Sequence, residues 1–367
     1  MFLAWKEMRY AKLRYALIIG IMILVAYVVF MLSGLASGLA NGNKKAISDW
    51  GSSTIVLSAD SNKVASASVL KRADLNRAKT ANTNKAAVGL FATAAQKSGS
   101  KTKTNVAIFG AQKRSFVVPK IIKGRLYQNA HEIIISKNLS DEGYHIGDQI
   151  KLASMTHKFK IVGITKATTY SVEPVIYLNL DAFTTLKYGS QPFSSASQKP
   201  ISLIAIKHKT PKQVTVTTGT SDTKVAKMST ATLIQNLPGF SAEKITLNTM
   251  IDFLFIVVAA IVGIFLYVMT LQKTVLFGVL KAQGVRTRYL VGTIVSQSFI
   301  VGAAGVILAF ILGYLTSLIL PEAMPFTIDG MQWLSDGLIL ILVSIVGGLF
   351  SIRTVTKVDP INAIGGE

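Results

Sequence analysis

The side chains best suited to chemistry in this sequence are four histidines, at positions 131, 145, 157 and 208. Histidine clusters are common metal sites. These four are 14, 12 and 51 residues apart, form no i, i+4 pair and have no neighbouring carboxylate pattern beyond His131–Glu132. There is no cysteine, which excludes disulfides, thiolate metal sites and cysteine nucleophiles. We therefore predict structural roles for the histidines, at the surface or at strand edges.

Motifs of common hydrolases and nucleotide-binding proteins are missing. The sequence has no HExxH, no Ser-His-Asp order and no paired catalytic carboxylates. The phosphate-binding pattern GxxxxGK(S/T) is absent as well. The chain is therefore predicted to be non-catalytic, and any ATP that drives it must bind to another chain.

The composition indicates a membrane protein. Half of the 367 residues are hydrophobic and only 16% are charged, with a mean hydropathy of +0.45. An ordinary soluble domain carries about 25% charged residues. Residues 41–247 have ordinary polarity, so the apolar residues are concentrated elsewhere. A soluble enzyme is disfavoured on these grounds.

Four apolar segments are long enough to cross a bilayer, which takes about 20 apolar residues. They are predicted at residues 15–40, 249–271, 290–320 and 333–352. A signal peptide is a poor interpretation of the first segment, because its apolar stretch is too long and no cleavage site is clearly placed. We predict a multi-pass protein of the plasma membrane.

Basic residues near the span ends predict the orientation. They are distributed as four in segment 1–14, four in loop 272–289, two in tail 353–367 and none in loop 321–332. Loop 321–332 instead carries Glu322 and Asp329. Both termini and loop 272–289 are therefore predicted to be cytoplasmic, with loop 321–332 and segment 41–248 outside.

Segment 41–248 is predicted to form an extracellular domain with 29 basic residues against 11 acids. Long loops are translocated largely regardless of their charge. Phosphate-rich wall polymers or acidic headgroups would screen such a surface. We expect no nucleic-acid partner, because the basic residues belong to a secreted face.

Short Val- and Ile-rich runs bounded by turn-forming residues predict the strands of this domain. They lie at 50–58, 105–109, 132–135, 149–153, 158–164, 174–178 and 203–207. Residues 82–104 are of low complexity, with a strand only at 86–92. Helices are predicted at 138–143, 180–186 and 223–237, with Asp181 at the N-terminus of the second. The predicted fold class is a polytopic α-helical membrane protein with four transmembrane helices and an α+β extracellular domain between helices 1 and 2.

The loop between the second and third spans, Gln272–Tyr289, contains a short amphipathic helix. Apolar residues fall at i, i+1, i+4 and i+5, at Val275, Leu276, Val279 and Leu280. The glycine at position 284 is predicted to stop this helix. Periodicity leaves two interpretations open: a helix lying on the lipid headgroups, or a helix that docks into a groove on a soluble partner.

A family resemblance favours the second interpretation. The motif GVLKAQG, Gly278–Gly284, closely resembles the IGVLKALG signature of permease subunits of MacB/FtsX-type ABC transporters. The layout of spans is also similar to that of the family. Tyr144–Thr165 resembles the family's outer strand pair, and Asp359–Glu367 resembles its usual C-terminus. The chain departs from the family at Leu276 and Phe277, which replace an acidic residue and an isoleucine.

The resemblance implies a coupling helix that contacts a separate ATPase. The residues carried over for that contact are Phe277, Gly278, Leu280, Lys281 and Gly284. It also implies a homodimer of this permease with two copies of the ATPase, which would bind ATP and Mg²⁺. No cofactor of the permease's own is expected.

Within the family, residues 1–40 and Thr169–Asn179 are most similar to the haem-efflux permeases of Gram-positive bacteria. This implies that haem is the transported substrate, entering from the membrane or the outer face, and that export protects against haem toxicity. Two other functions stay open. One is export of antimicrobial peptides or lipid-like cargo, and the other is mechanical regulation of an extracellular partner such as a wall hydrolase.

Haem would need apolar walls, an axial His, Met, Tyr or Cys ligand, and cations for its propionates. The substrate-contact candidates are Tyr27, Phe30, Met31, Lys44, Lys45 and Tyr170. Tyr27 and Met31 are four residues apart and share a helix face. Ordinary packing is the alternative for both, since Tyr is common at membrane boundaries and Met fills gaps. A haem iron is the only metal expected.

Two further features of the spans lead to predictions, one about helix packing and one about acidic residues. Small residues recur four apart in the first span, as Ser33–Ser37 and Gly34–Gly38. Such spacing permits close helix approach, and we predict a dimer contact there. Asp252, Glu322 and Asp336 fall near the predicted outer boundary, where we expect them to be solvated.

Overall fold

The computed structural model describes residues 2–152, 157–190, 192–217, 223–321 and 324–357. The chain divides into a spanning unit, Met1–Gly38 with Lys244–Glu367, and an outer unit, Leu39–Glu243. Three predicted features lie outside the described residues, namely Glu322, the end of the strand at 149–153, and the family-like terminus at 359–367.

Helices form the spanning unit, and short helices lie between strands of the outer unit. In chain order they are α1 Phe2–Tyr10, α2 Lys12–Ser48, α3 Lys137–Asp141, α4 Leu180–Tyr188, α5 Thr230–Gln235, α6 Phe240–Leu271, α7 Thr274–Ala282, α8 Thr287–Ser317 and α9 Gly330–Lys357. Among the described residues, four helices are long and apolar enough to cross a membrane: α2, α6, α8 and the part of α9 up to Leu349. The predicted four-span architecture is confirmed.

Helix bounds differ from the predicted span bounds. Helix α2 continues beyond residue 40 to Ser48, and α6 begins at Phe240 rather than near 249. Polar residues end the apolar run that marks a span, but they do not end a helix unless the backbone is interrupted. Helix α8 ends at Ser317, three residues before the predicted end. Pro321 follows closely, and a proline disfavours helical conformation in the residue before it.

Small residues let the spanning helices approach one another. A Cβ on Gly347 of α9 would lie 2.5 Å from the carbonyl oxygen of Ala259 on α6, and a Cβ on Gly305 of α8 would lie 2.3 Å from Met22 on α2. In a bilayer, where lipid is as apolar as leucine, this close packing is a main source of helix association.

The outer unit is built on strands. They are β1 Thr54–Ser58, β2 Leu70–Lys71, β3 Lys85–Lys97, β4 Lys103–Gly110, β5 Ile121–Gly124, β6 Glu132–Ser136, β7 Gln149–Leu152, β8 Lys158–Thr165, β9 Thr169–Tyr170, β10 Glu173–Leu178, β11 Pro200–Ile201, β12 Leu203–Ile206 and β13 Val225–Ser229. The predicted α+β class of the extracellular domain is confirmed.

Six of these strands close into a ring. Strand β3 pairs with β4 and β7, β10 pairs with β4 and β6, and β8 pairs with β6 and β7. The β4–β10 and β6–β8 pairs are parallel and the other four are antiparallel. All six strands contribute to one buried apolar cluster, with members such as Ile108, Ile150 and Phe159. Strands β12, β1 and β13 continue the sheet from β3.

The strand predicted at 86–92 within the low-complexity stretch 82–104 is confirmed, but its predicted bounds are too short. Most of the stretch is β3, a strand of 13 residues that reaches well beyond the predicted 86–92. The alanines and Gly89 of β3 have low strand propensity, so this sequence predicts a strand only weakly. Their small size has a packing role, since a Cβ on Gly89 would lie 2.3 Å from the ring of Phe183.

One predicted helix also needs correction. Residues 223–237 are not one helix: β13 pairs with the edge of β1, and only then does α5 begin, with Ser229 accepting a hydrogen bond from the Thr232 N–H. The N-terminus of α4 is capped by Asn179, whose side chain accepts from Ala182 N at 2.7 Å. Asp181 lies in the first turn of α4, as predicted, and also forms ion pairs with Arg72 and Lys199.

Candidate functional site

Helix α7 follows α6 after only two residues and turns one side towards α8. Phe277 and Gly278 are buried, and the Phe277 ring packs with Leu290 and Ile294 of α8. The two residues were predicted to contact an ATPase. Within the chain both are buried, and Phe277 holds α7 against α8. Their contact with an ATPase stays a prediction.

The C-terminus of α7 is closed by a Schellman motif. Gly284 has a φ of +82°, the left-handed conformation that favours glycine. The Val285 N–H donates to the Leu280 carbonyl and the Gly284 N–H to the Lys281 carbonyl, both at 3.0 Å. Leu280 and Val285 both pack on the Phe277 cluster, which is the apolar contact that accompanies this motif. The predicted helix stop at Gly284 is confirmed.

The opposite side of α7 is apolar and exposed. Val275 is 62% exposed and Leu276 49%, while Val279 and Lys281 are intermediate. The apolar stripe predicted on this helix therefore lies largely on its outer surface. The large apolar side chains that α7 leaves exposed are therefore Val275 and Leu276.

A polar contact joins the start of α7 to α1. Lys273, the residue that precedes α7, has its Nζ 3.1 Å from Glu7 Oε2. The same Glu7 oxygen accepts a hydrogen bond from Gln297 Nε2 on α8, and Gln297 is buried. One carboxylate on α1 thus contacts two other segments of the spanning unit, the start of α7 and α8.

Sequence reasoning missed this contact. Lys273 and Gln297 lie 266 and 290 residues after Glu7 in the chain, so no local sequence pattern predicts the contact. One signal was available: Glu7 is the only acid among the first 48 residues. A lone carboxylate in a basic segment is a candidate for a specific pairing.

An open groove lies between α1 and the α6–α7 junction. The lining residues are Lys6, Glu7, Arg9, Tyr10, Ala11, Gln272, Lys273 and Leu276. Beside it, Arg14 Nη1 donates to Gln272 Oε1 at 2.5 Å. Leu276 belongs both to this groove and to the exposed side of α7.

Comparison with known proteins places the two units in one family. The MacB-like periplasmic core domain matches residues 16–226, and the FtsX-like permease C-terminal domain matches residues 248–360. This chain belongs to the MacB/FtsX family of ABC transporter permeases.

Similar curated proteins are permeases too. Two staphylococcal proteins named as HrtB permeases of a hemin transport system align over 99% of this chain and 99% of their own. The protein from Staphylococcus haemolyticus (strain JCSC1435) is 30% identical, and that from Staphylococcus epidermidis (strain ATCC 12228) is 29% identical. Among solved structures, the extracellular domain of the ABC-type transporter YknZ from Gram-positive bacteria is 14% identical, with a TM-score of 0.32. That match covers 44% of this chain and 86% of the YknZ domain.

In this MacB/FtsX permease the substrate-contact candidates fall into two groups. Tyr27, Phe30 and Met31 belong to the spanning unit. Tyr27 is half-buried and its hydroxyl lies 3.1 Å from Thr316 Oγ1, while Met31 is also half-buried. Phe30 is fully buried against Trp333, at 5.1 Å between ring centroids. Phe30 is therefore a core residue within the chain rather than an open wall.

The other three candidates, Lys44, Lys45 and Tyr170, belong to the outer unit. Lys45 Nζ lies 3.8 Å from the carboxylate of Asp49. Lys44 forms no ion pair with any described residue. Tyr170 is buried with its ring against Phe109, and burial raises the pKa of its hydroxyl to about 12. Tyr170 thus lies in the apolar core of the outer unit.

Gly34 and Gly38 of α2 pack against another segment of the same chain. A Cβ on Gly34 would lie 2.3 Å from the Phe326 ring, and one on Gly38 would lie 2.1 Å from the Pro325 carbonyl oxygen. The Thr327 N–H also donates to the Gly34 carbonyl at 3.1 Å. The predicted dimer contact at these glycines is wrong, because the segment before α9 occupies them.

The acids near the outer span ends differ in environment. Asp252 is exposed, as expected for a solvated boundary residue. Asp336 is only 2% exposed and accepts a hydrogen bond from Gln332 Nε2 at 2.9 Å, so the expectation of solvation is wrong for it. It lies one helical turn after Trp333, within the packed part of the spanning unit.

Proposed function

We propose that this chain is the permease subunit of an ATP-driven exporter that removes haem from the membrane and so protects the cell from haem toxicity. The observation that carries the proposal is the alignment, over 99% of both chains, with proteins named for hemin transport. The termini and α7 would then be cytoplasmic, which agrees with the basic residues around them.

Helix α7 would dock into a groove on a separate ATPase. Exposed apolar side chains on a rigid helix suit this form of recognition, and Val275 and Leu276 supply them. Two permeases would assemble with two ATPases, which hold ATP and Mg²⁺, and the permease would need no cofactor of its own. The Schellman motif fixes where α7 ends, so the docking surface has a defined shape.

Force applied to α7 would reach the spans by two direct contacts. Phe277 packs on α8, and Lys273 pairs with Glu7, which also contacts Gln297 of α8. A displaced α7 would therefore move α1 and α8 together. This is how hydrolysis elsewhere would rearrange the permease.

Three candidates are retained for contact with haem. Tyr27 and Met31 are half-buried and carry side chains that can ligate haem iron. Lys44 is a cation without an ion pair among the described residues and suits a propionate. Phe30 and Tyr170 are not retained, because both are committed to apolar cores.

The test is haem tolerance in a strain that expresses the ATPase. Deleting this chain should lower the haem concentration that stops growth, and the intact gene should restore it. The matched variant is Lys281→Glu, which reverses a charge on α7; it should insert in the membrane but fail to recruit the ATPase and fail to restore tolerance.

Other outcomes assign another function. Unchanged tolerance after deletion contradicts haem as the cargo. ATPase activity of the purified complex that rises with antimicrobial peptides and ignores haem assigns a peptide or lipid-like cargo. Co-purification of an extracellular hydrolase, with no transported substrate, assigns mechanical regulation of that partner.

A further inference from the structure

Four polar side chains stand in one row across the ring of the outer unit. Lys103 on β4 is in register with Gln96 on β3, Gln96 with Lys151 on β7, and Lys151 with Lys158 on β8. The three lysines are exposed, and the residues that alternate with them on β7 and β8 are buried. With strands about 4.8 Å apart, the row is roughly 14 Å long. We name it the lysine row.

The charges in this row are unfavourable for folding. Lys151 and Lys158 are directly opposite on antiparallel strands, and like charges in that position destabilise a sheet. Lys160 adds a further exposed cation two residues along β8. An arrangement that costs stability is expected where function requires it.

Nearby acids do not neutralise the row. Asp148, just before β7, lies 2.6 Å from Lys97. Glu132, in register with Lys160, receives two hydrogen bonds from Arg125 at 2.6 and 2.8 Å. Within the described part of the chain, Lys103, Lys151, Lys158 and Lys160 have no ion pair or side-chain hydrogen bond.

The chemistry of the row fits an extended phosphate polymer. Lysine binds phosphate as a point charge, and strands hold these ammonium groups at fixed spacing along a line. On the described residues of β3, β4, β7 and β8, no large apolar side chain is exposed. A surface that enters lipid headgroups normally presents such side chains, so a soluble polymer is favoured over a bilayer.

We propose that the lysine row binds a linear phosphodiester polyanion on the outer side of the membrane. Binding would hold the outer unit in the anionic envelope that surrounds it. This goes beyond export and is independent of the cargo, since it needs only that the outer unit is extracellular.

The experiment uses the full chain in uncharged phosphatidylcholine nanodiscs and immobilised poly(glycerol phosphate), over a series of salt concentrations. The triple variant Lys103→Gln, Lys151→Gln, Lys158→Gln should bind about a hundredfold more weakly, at about fivefold per lysine. Its plot of log affinity against log salt should be less steep by about one per lysine removed. Absence of salt-dependent binding by the unaltered chain overturns the proposal.

The control variant has the same charge change elsewhere in the outer unit. Lys63, Lys113 and Lys212 are exposed and lie outside these four strands; all three changed to Gln should leave binding within a small factor of the unaltered chain. Equal loss in both triple variants would mean that only net charge matters and would overturn the proposal.

Two further measurements distinguish polymer binding from lipid binding and from misfolding. Phosphatidylglycerol vesicles replace the polymer in a second arm, and loss of vesicle binding with intact polymer binding assigns the row to lipid instead. The melting temperature of the row variant should be unchanged or higher, because a repulsive pair is removed. A lower melting temperature would attribute the weak binding of the triple variant to misfolding. The single variant Lys151→Gln is then measured. Binding about fivefold weaker than that of the unaltered chain supports the proposal, and unchanged binding overturns it.

Discussion

Glu7 lies 3.1 Å from Lys273 Nζ, although 266 residues separate the two in the chain. Lys273 immediately precedes the α7 helix, and Glu7 belongs to the first helix of the chain. Their side chains are only 21% and 13% exposed, for Lys273 and Glu7 respectively. The start of the proposed ATPase-docking helix is therefore held to α1 by a largely buried ion pair.

Replacing Glu7 by glutamine should uncouple hydrolysis from transport. Glutamine keeps the size of the side chain and a hydrogen bond to Gln297, but it removes the charge that pairs with Lys273. A charge-assisted hydrogen bond of this kind contributes about 1.5–3 kcal/mol. We expect normal ATPase binding with less haem exported per ATP hydrolysed, measured on the reconstituted complex.

The control for Glu7→Gln is Arg14→Gln. Arg14 also connects this region, to Gln272, but in an exposed setting, where such contacts contribute about 0–1 kcal/mol. Its coupling ratio should stay near that of the unaltered complex. A Glu7→Gln complex with an unchanged ratio would show that the ion pair has no role in transmission.

Gly284→Ala should weaken the complex with the ATPase. Alanine at a φ of +82° costs about 1–2 kcal/mol, and relief of that strain disrupts the Schellman motif that shapes the end of α7. An affinity loss of about tenfold corresponds to 1.4 kcal/mol. The measurement is a titration of ATPase against the permease in nanodiscs. Gly292→Ala is the matched control, because Gly292 is helical and its Cβ would have open space; a similar loss in both variants would contradict the argument.

Val275→Asp distinguishes the two interpretations of α7. If the exposed side docks on the ATPase, a carboxylate buried there without a partner lowers affinity by about tenfold or more. If the helix only lies on headgroups, ATPase recruitment is unchanged. Co-purification measures the difference, and Ile122→Asp, at an exposed apolar residue of the outer unit, is the control.

The sequence was sufficient for features that rest on local chemistry. Apolar runs of about 20 residues predict spans wherever they occur, because a bilayer requires backbone hydrogen bonds to be satisfied within a helix. Gly284 could be assigned as a helix stop since glycine readily adopts the left-handed conformation found there. Val- and Ile-rich strands such as β6 and β8 were predicted nearly to their ends.

Features that depend on distant partners were missed or only partly predicted. Strand β3 is rich in alanine and glycine, and it is a strand because β4, β7 and β12 pair with it. Phe277 was carried over from the family resemblance as an ATPase contact, and a motif does not tell which side of α7 packs on the rest of the chain. The Glu7–Lys273 pair and the packing of Phe326 on Gly34 are likewise fixed only by the tertiary fold.

Gly38→Ala should destabilise the spanning unit. A Cβ there would meet the Pro325 carbonyl oxygen at 2.1 Å, and backbone cannot move aside as a side chain can. Overpacking of this kind costs about 1–3 kcal/mol. Gly20→Ala on the same helix has open space and should be neutral or stabilising. Thermal unfolding in detergent micelles compares the two, and equal melting temperatures would argue against the contact.

The outer unit should lose stability in acid through Glu132. Hydrogen bonds from Arg125, and a further one from the Gln128 N–H, lower the pKa of this carboxyl to about 2 although burial opposes the shift. Because the folded-state pKa lies below the ordinary value of 4.5 for a glutamate, its stabilisation is complete above that value and is lost as pH falls towards 2.

Melting temperatures between pH 6 and pH 2 should therefore fall more steeply for the unaltered chain than for Glu132→Gln, which cannot titrate at this position. Above pH 5 the variant should be the less stable of the two, since Arg125 loses its charged partner. Asp141→Gln serves as the control: Asp141 pairs with Lys137 in an exposed setting, where the contribution is small, so its profile should follow that of the unaltered chain. Parallel profiles for the unaltered chain and Glu132→Gln would show that the pair with Arg125 does not set the acid stability of the outer unit.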